Sequence, residues 1–167
     1  MMDQSVIQKF LRKGKEVEEQ LKNRLREIGH HFEESTDHED KYHHFDLKIN
    51  ERGIDVKGLK KISRSDKAPT EHFHWVEIKN VSGKNGWAYS SCGYIIFETN
   101  DYWVIVETLE LQNLVKNKVI KEYVDNTSEA LYKLYQRKGR KDIITLVKTI
   151  DLMKIAYCVL DKSDIKS

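Results

Sequence analysis

The stretch His74-Trp75-Val76-Glu77-Ile78-Lys79-Asn80-Val81 alternates with a period of two. Val76 and Ile78 point one way and Trp75, Glu77 and Lys79 the other, the pattern of a strand with one apolar face. The second face carries an acid and a base two residues apart, whose heads converge on one small volume. A carboxylate there suits a hard divalent cation, and an ammonium beside it offsets a developing negative charge. An isolated Glu-x-Lys is ordinarily a solvated surface pair worth little. The weight of this one depends on what surrounds it in the chain.

Toward the N-terminus, Ile7, Phe10, Leu11, Val17, Leu21, Leu25 and Ile28 fall at three- and four-residue steps among Lys, Arg, Glu and Gln. They predict an amphipathic helix over residues 4–29, with Gly14 a candidate break and Gly29 a stop. Residues 33–41 are charged and polar and read as a loop. Residues 42–50 alternate as a strand, Glu51-Arg52-Gly53 reads as a turn, and 54–62 as a second strand, together a hairpin. A short turn there places Asp46, Lys48, Asp55 and Lys57 on one face. A loop over 63–70 holds the only proline, Pro69, and the strand quoted first then pairs with the hairpin as a meander.

Toward the C-terminus, 82–86 is a loop and 87–92 a short helix. Residues 94–97 and 102–106 are compact apolar runs, as buried strands require, and 109–115 reads as a helix. Strands are expected near 131–135 and 143–147 and a helix over 151–160. There is no internal repeat, low-complexity tract or linker.

With 167 residues, 39% hydrophobic and 34% charged, the chain suits one globular domain, with a core over about 4–117 and an elaboration over about 118–167. The net charge of +2 gives no uniformly basic surface, so a nucleic-acid partner must be read from local clusters. Cys92 and Cys158, the only cysteines, lack metal-ligand spacing and read as buried thiols of a reducing cytosol. No run approaches a membrane span, and a cytoplasmic protein with no membrane partner is expected.

A helix, three antiparallel strands, a connection and further apolar strands describe an α/β core. Here the sequence resembles the PD-(D/E)XK, or restriction-endonuclease-like, nuclease superfamily, and its first half is most similar to the archaeal Holliday-junction resolvase type. Arg12-Lys13-Gly14-Lys15-Glu16-Val17-Glu18 is similar to that group's opening helix, in which a glycine precedes a metal-site glutamate by four positions, the place of Glu18. Asp55, in Gly53-Ile54-Asp55-Val56, matches the motif aspartate, and Glu77-Ile78-Lys79 the acid-x-lysine motif. The likeness covers roughly residues 12 to 111. The connection from Lys79 to Tyr94 is shorter than the family's usual helix, and nothing beyond about Gln112 has a counterpart.

The resemblance implies an N-terminal helix, a three-stranded antiparallel meander and further strands of a mixed sheet. It also implies Mg²⁺ or Mn²⁺ on Glu18, Asp55 and Glu77, with Lys79 beside the nucleophile and Asp46 and Lys57 as near neighbours. A second register fits the same signature, with Asp46 first and Asp55-Val56-Lys57 as acid-x-lysine. It needs a further strand before Asp46, where the charged residues offer none, so the first register is preferred.

Lys60, Lys61, Arg64 and Lys67 cluster past Asp55, and Arg137, Lys138 and Arg140 form a second basic run around Gly139. With Lys84 they are the candidate phosphate contacts. The seven histidines all lie between His30 and His74. Strand neighbours such as His43 and His44 point to opposite faces and no cysteine joins them, which disfavours zinc. Trp75, Trp87 and Trp103 read as core aromatics. The expected function is a small Mg²⁺-dependent nuclease acting on DNA, with RNA still open. Cutting both strands requires two sites, so a homodimer is expected, with Leu131, Leu134, Ile143 and Leu146 as surplus apolar surface. The alternatives are a non-catalytic nucleic-acid-binding module and an interaction or inhibitor protein.

Overall fold

A computed structural model describes the backbone of residues 4–163 and the side chains from residue 14 onward. Helix α1 (Gln4–Glu27) runs unbroken through Gly14 and ends where Gly29 adopts a φ of 72°. There the His30 N–H donates to the Leu25 carbonyl at 2.8 Å, a closure that favours glycine. Val17, Leu21 and Leu25 form its buried stripe, whereas Ile28 lies past the last turn and is exposed. The side chains of Ile7, Phe10, Leu11, Arg12 and Lys13 lie outside the described residues.

The charged stretch expected to be a loop holds two elements, β1 (Glu33–Glu34) and α2 (Asp37–His43). A capping box starts α2: the Thr36 hydroxyl accepts the Glu39 N–H and the Glu39 carboxylate accepts the Thr36 N–H, both at 3.1 Å. The helix takes Tyr42 and His43 out of the expected strand, and β2 is only Leu47–Ile49. Asn50 and Glu51, with φ of 51° and 65°, form a two-residue turn of the hand that suits twisted strands. It lies one residue earlier than expected, so β3 is Arg52–Lys57.

The next strand, β4 (Phe73–Lys79), does not join this hairpin. The free edge of β3 is taken in parallel by β5 (Tyr94–Glu98), with Asp55 opposite Ile95. β5 is buried along nearly its whole length, as a central strand must be, whereas β4 has one polar face. β6 (Tyr102–Glu107) pairs antiparallel with β5 and leads into α3 (Thr108–Lys118). Then follow β7 (Tyr123–Val124), β8 (Leu134–Tyr135), β9 (Ile143–Lys148), α4 (Thr149–Ile155) and β10 (Cys158–Asp161). The helix expected over 151–160 therefore stops at Ile155, and the chain returns as a strand on β6.

The strands form two sheets, one in the order β1-β2-β3-β5-β6-β10 and the other β4-β9-β8-β7. The three-stranded antiparallel meander is β1-β2-β3, one strand earlier than expected. Alternation along β5 and β6 divides the core. Ile96 and Trp103 pack with Leu47, Ile54 and the α1 stripe. Ile95, Phe97, Val104 and Val106 face Val76, Val147, Leu111 and Leu152 of the second sheet, α3 and α4. The larger sheet is thus held between α1 and a layer to which residues beyond 117 contribute. Ile143 and Leu146 are buried within the chain rather than left as surplus. Among the described residues no helix is long and apolar enough to cross a membrane. Cys92 is buried, whereas Cys158, on the outermost strand, is exposed.

Candidate active site

Three carboxyl groups follow one another across the α1–β2–β3 unit. Glu18 comes from α1, Asp46 from the residue before β2, and Asp55 from the middle of β3. The Asp46 N–H donates to the Ile54 carbonyl at 2.8 Å, a bond out of step with the β2–β3 register that ends at Leu47 and Ile54, and Asp46 lies beside Asp55. Phe45 is seated on Gly53, where a Cβ would lie 2.2 Å from its ring, so the chain reaches Asp46 by a route only glycine permits. Asp46 Oδ2 also accepts the Val56 N–H at 2.6 Å.

Glu18 lies beside Asp46 and Asp46 beside Asp55, close enough for each to act on the ionisation of the next. Burial pushes Glu18 up to about 7, and the charge of Asp46 adds to the effect. Burial likewise pushes Asp55 up to about 7, against the pull of Lys57 and with the help of Asp46. Asp46 is raised by burial despite the Val56 N–H and Lys57. Acids that ionise this reluctantly in a cleft mark a site held ready for a positive charge.

One cation is already present. Lys57, two residues beyond Asp55 on β3, places its Nζ 3.0 Å from Asp55 Oδ2. The ammonium also lies 4.6 Å from the centre of the Trp87 ring, in the 3-10 turn Trp87–Tyr89, which fixes it from the other side. Its approach to Asp55 is at ion-pair distance but off the line of a hydrogen bond, and Asp55 Oδ2 is buried without a hydrogen-bond partner. Hard oxygen donors close together are of the type that a divalent cation such as Mg²⁺ or Mn²⁺ takes once they ionise. Among the described residues no three acidic, His or Cys side chains are already set around one point. An ion would therefore require the carboxyls to turn toward one point.

Glu77 and Lys79 stand elsewhere. β4 pairs with β9, Glu77 opposite Ile144 and Lys79 opposite Ile143 across a bulge, so neither is on a strand beside Asp55. Glu77 supports the site from its margin: its Oε1 accepts the Trp87 N–H at 3.3 Å, and a Cβ on Gly86 would meet its carbonyl at 2.5 Å. Lys79 is exposed.

The basic residues flank this centre. Lys60, Lys61, Arg64 and Lys67 are exposed on the segment after β3, which is tied over β4 by the Trp75 Nε1–H donating to the Lys61 carbonyl at 3.1 Å. Lys60 lies in the field of Lys57, Glu77, Asp55 and also Arg137, so the second basic run is drawn to the same side. Arg137 is ion-paired with the buried Asp142, whereas Lys138 and Arg140 are exposed. Lys84 lines an adjoining depression. His43 and His44 are not strand neighbours: one ends α2 and the other caps it at a φ of 60°. Of the three tryptophans only Trp103 is wholly buried.

Comparison of the chain with protein-family models, with curated proteins and with solved structures finds no match. The functional reading rests on the site itself.

Proposed function

We propose that the chain is a divalent-metal-dependent nuclease that hydrolyses phosphodiester bonds in DNA, with RNA within the same chemistry. The observation that carries this reading is the run Glu18, Asp46 and Asp55, each beside the next, with Lys57 paired to Asp55. In this proposal Asp46 and the Asp55-Val56-Lys57 run take the acid and acid-x-lysine places of the PD-(D/E)XK signature, and Glu77 and Lys79 do not. The strand that this register requires before Asp46 is β1, and β3 lies parallel to the strand after its crossover. Both features support the assignment.

Glu18, Asp46 and Asp55 would hold Mg²⁺ or Mn²⁺, which supplies a Lewis acid for a phosphate oxygen and for the attacking water. The Asp46 carboxylate accepts the N–H of Val56, the residue after Asp55, which holds the two carboxyls near each other. Lys57, held between Asp55 and the Trp87 ring, presents a positive charge where negative charge develops on the phosphate. The exposed Lys60, Lys61, Arg64, Lys67, Lys138 and Arg140 contact backbone phosphates on either side. A homodimer would supply the second site for cutting both strands, and two thiols outside any disulfide suit the cytoplasm.

The test is cleavage of plasmid and oligonucleotide DNA in Mg²⁺ or Mn²⁺ by the wild-type chain, Asp55→Asn, Lys57→Met and Lys79→Met. We expect metal-dependent cleavage that Asp55→Asn and Lys57→Met reduce by at least about 10²-fold, the usual scale for removing one transition-state charge partner, and that Lys79→Met leaves near normal. Metal-dependent DNA binding without cleavage would point to a non-catalytic module of the same fold. Loss of cleavage on Lys79→Met but not on Lys57→Met would overturn the register.

A further inference from the structure

Beside the carboxylates lies a depression of different chemistry. The end of α2, the loop 80–86 and the residues after the Trp87–Tyr89 turn enclose about 380 Å³. That is near the lower end of the ~300–1,000 Å³ typical of small-ligand clefts, room for one nucleotide and not for a duplex. Two aromatic rings, Tyr42 and Tyr89, border it, with the side-chain amides of Asn80 and Asn85, the His43 imidazole and the Lys84 ammonium. No carboxylate lines it, although three are gathered next to it.

The depression and the carboxylate centre share their walls. Asp46 follows His44 by two residues. The Cys92 thiol donates to the His43 and His44 carbonyls at 3.6 and 3.5 Å, and it lies in the field of Asp55 and Asp46. Gly86, in the lining, leads straight into Trp87 under Lys57. The loop is fixed: Asn80 Oδ1 accepts the Ser82 and Lys84 N–H groups at 3.0 and 3.1 Å, and the Gly86 N–H donates to the Ile78 carbonyl at 2.8 Å. The tyrosines are not consumed by the core, since Tyr42 is 62% and Tyr89 37% exposed.

Within a duplex the flat face of a base is covered by its neighbours and its pairing edge is occupied. Rings and amides in a space of single-nucleotide size are useful only to a base with both face and edge free. We propose that this depression holds one unpaired nucleotide next to the scissile phosphate, so that the preferred substrate is single-stranded or carries an unpaired nucleotide at the cut. The inference rests on the nuclease reading of the adjoining carboxylates. The Lys84 ammonium would meet the phosphate of the held nucleotide, and Tyr89 or Tyr42 would stack on its base.

The experiment compares three labelled DNAs of one sequence in Ca²⁺: a perfect duplex, the duplex with a one-nucleotide bulge, and the single strand. Affinity is read by fluorescence anisotropy, and a 2-aminopurine at the bulge reports stacking. We expect the bulged and single-stranded DNAs to bind roughly tenfold tighter than the duplex, with quenching of the 2-aminopurine, on the scale of one base–aromatic stack. Tyr89→Ala and Tyr42→Ala together should remove that preference and the quenching while leaving duplex binding unchanged, and Tyr89→Phe should retain both. Equal affinity for the three DNAs, or a preference that survives the double substitution, overturns the nucleotide site. If metal-dependent cleavage of the duplex persists in that case, the nuclease reading stands alone. If no DNA binds and no metal-dependent cleavage is seen, both fall.

Discussion

The affinity of the site for a divalent cation should fall steeply between pH 8 and pH 6. Glu18 and Asp55 both titrate near 7 in the folded chain, because burial opposes their ionisation. A cation takes up ionised carboxylates, so each proton still bound must leave first. For a group with a pKa of 7 the proton competition is about 1.1-fold at pH 8 and about 11-fold at pH 6. Two such groups weaken apparent binding by about 100-fold over this interval, or about 2.7 kcal/mol. At pH 7, where each acid is half protonated, binding one ion should release about one proton. Calorimetry with Mn²⁺ in two buffers of different ionisation heat measures both quantities. Glu18→Gln should remove about half of the pH slope. The same protons act oppositely on the metal-free chain. These acids bind protons more tightly folded than unfolded, so their contribution to stability grows as pH falls from 7 toward 4. An affinity that changes less than threefold from pH 8 to pH 6, with no buffer-dependent heat, would refute the reasoning.

Trp87→Leu removes the ring from beneath Lys57 while keeping an apolar side chain against Phe97. It should lower kcat several-fold with little effect on KM, and Trp87→Phe should restore most of the loss, since either ring attracts a cation. Arg137→Ala, although it removes a residue of the basic run, should act as a folding defect of about 3 kcal/mol, because it strands the buried Asp142 carboxylate. Chemical denaturation distinguishes this from Arg140→Ala, expected to be neutral in stability. His74 is buried against Phe97 with Nε2 unpartnered, and burial pushes its pKa down to about 4. The unfolded chain therefore takes up the proton first, and this site costs stability as pH falls from 6.5 to 4. His74→Leu should gain on the wild type over that window by up to about 3 kcal/mol in thermal or denaturant unfolding.

The parts of the fold most legible from sequence were those whose apolar spacing matches one period. Val17, Leu21 and Leu25 mark α1, and the runs at Tyr94 and Tyr102 mark the central strands. β1 was not legible, since both its residues are exposed at a sheet edge and carry no apolar pattern. α2 left a readable signal in Thr36-Asp37-His38-Glu39, the spacing of a capping box, which the surrounding charge obscured. All four residues of the proposed centre were named from sequence, but the preferred reading joined Asp55 to Glu77 and Lys79, whose strand does not lie beside β3. β4 has the clearer alternation and so attracted the motif, yet alternation reports only that a strand has two unlike faces. It says nothing about which strand lies beside it, and the partner of β4 is β9, far along the chain.

The parallel pairing of β3 with β5 also governs when the proposed centre can form. Every carboxylate of the proposed centre, and its lysine, is synthesised by residue 57 of the chain's 167. Yet β3 remains an open edge until Tyr94–Glu98 returns across the long crossover to flank it, and Trp87 must come with it to steady Lys57. Closing so long a loop precedes any reward from the contacts it brings. A ribosome-bound chain that has displayed all four residues therefore still lacks the strand and the ring that hold them in place.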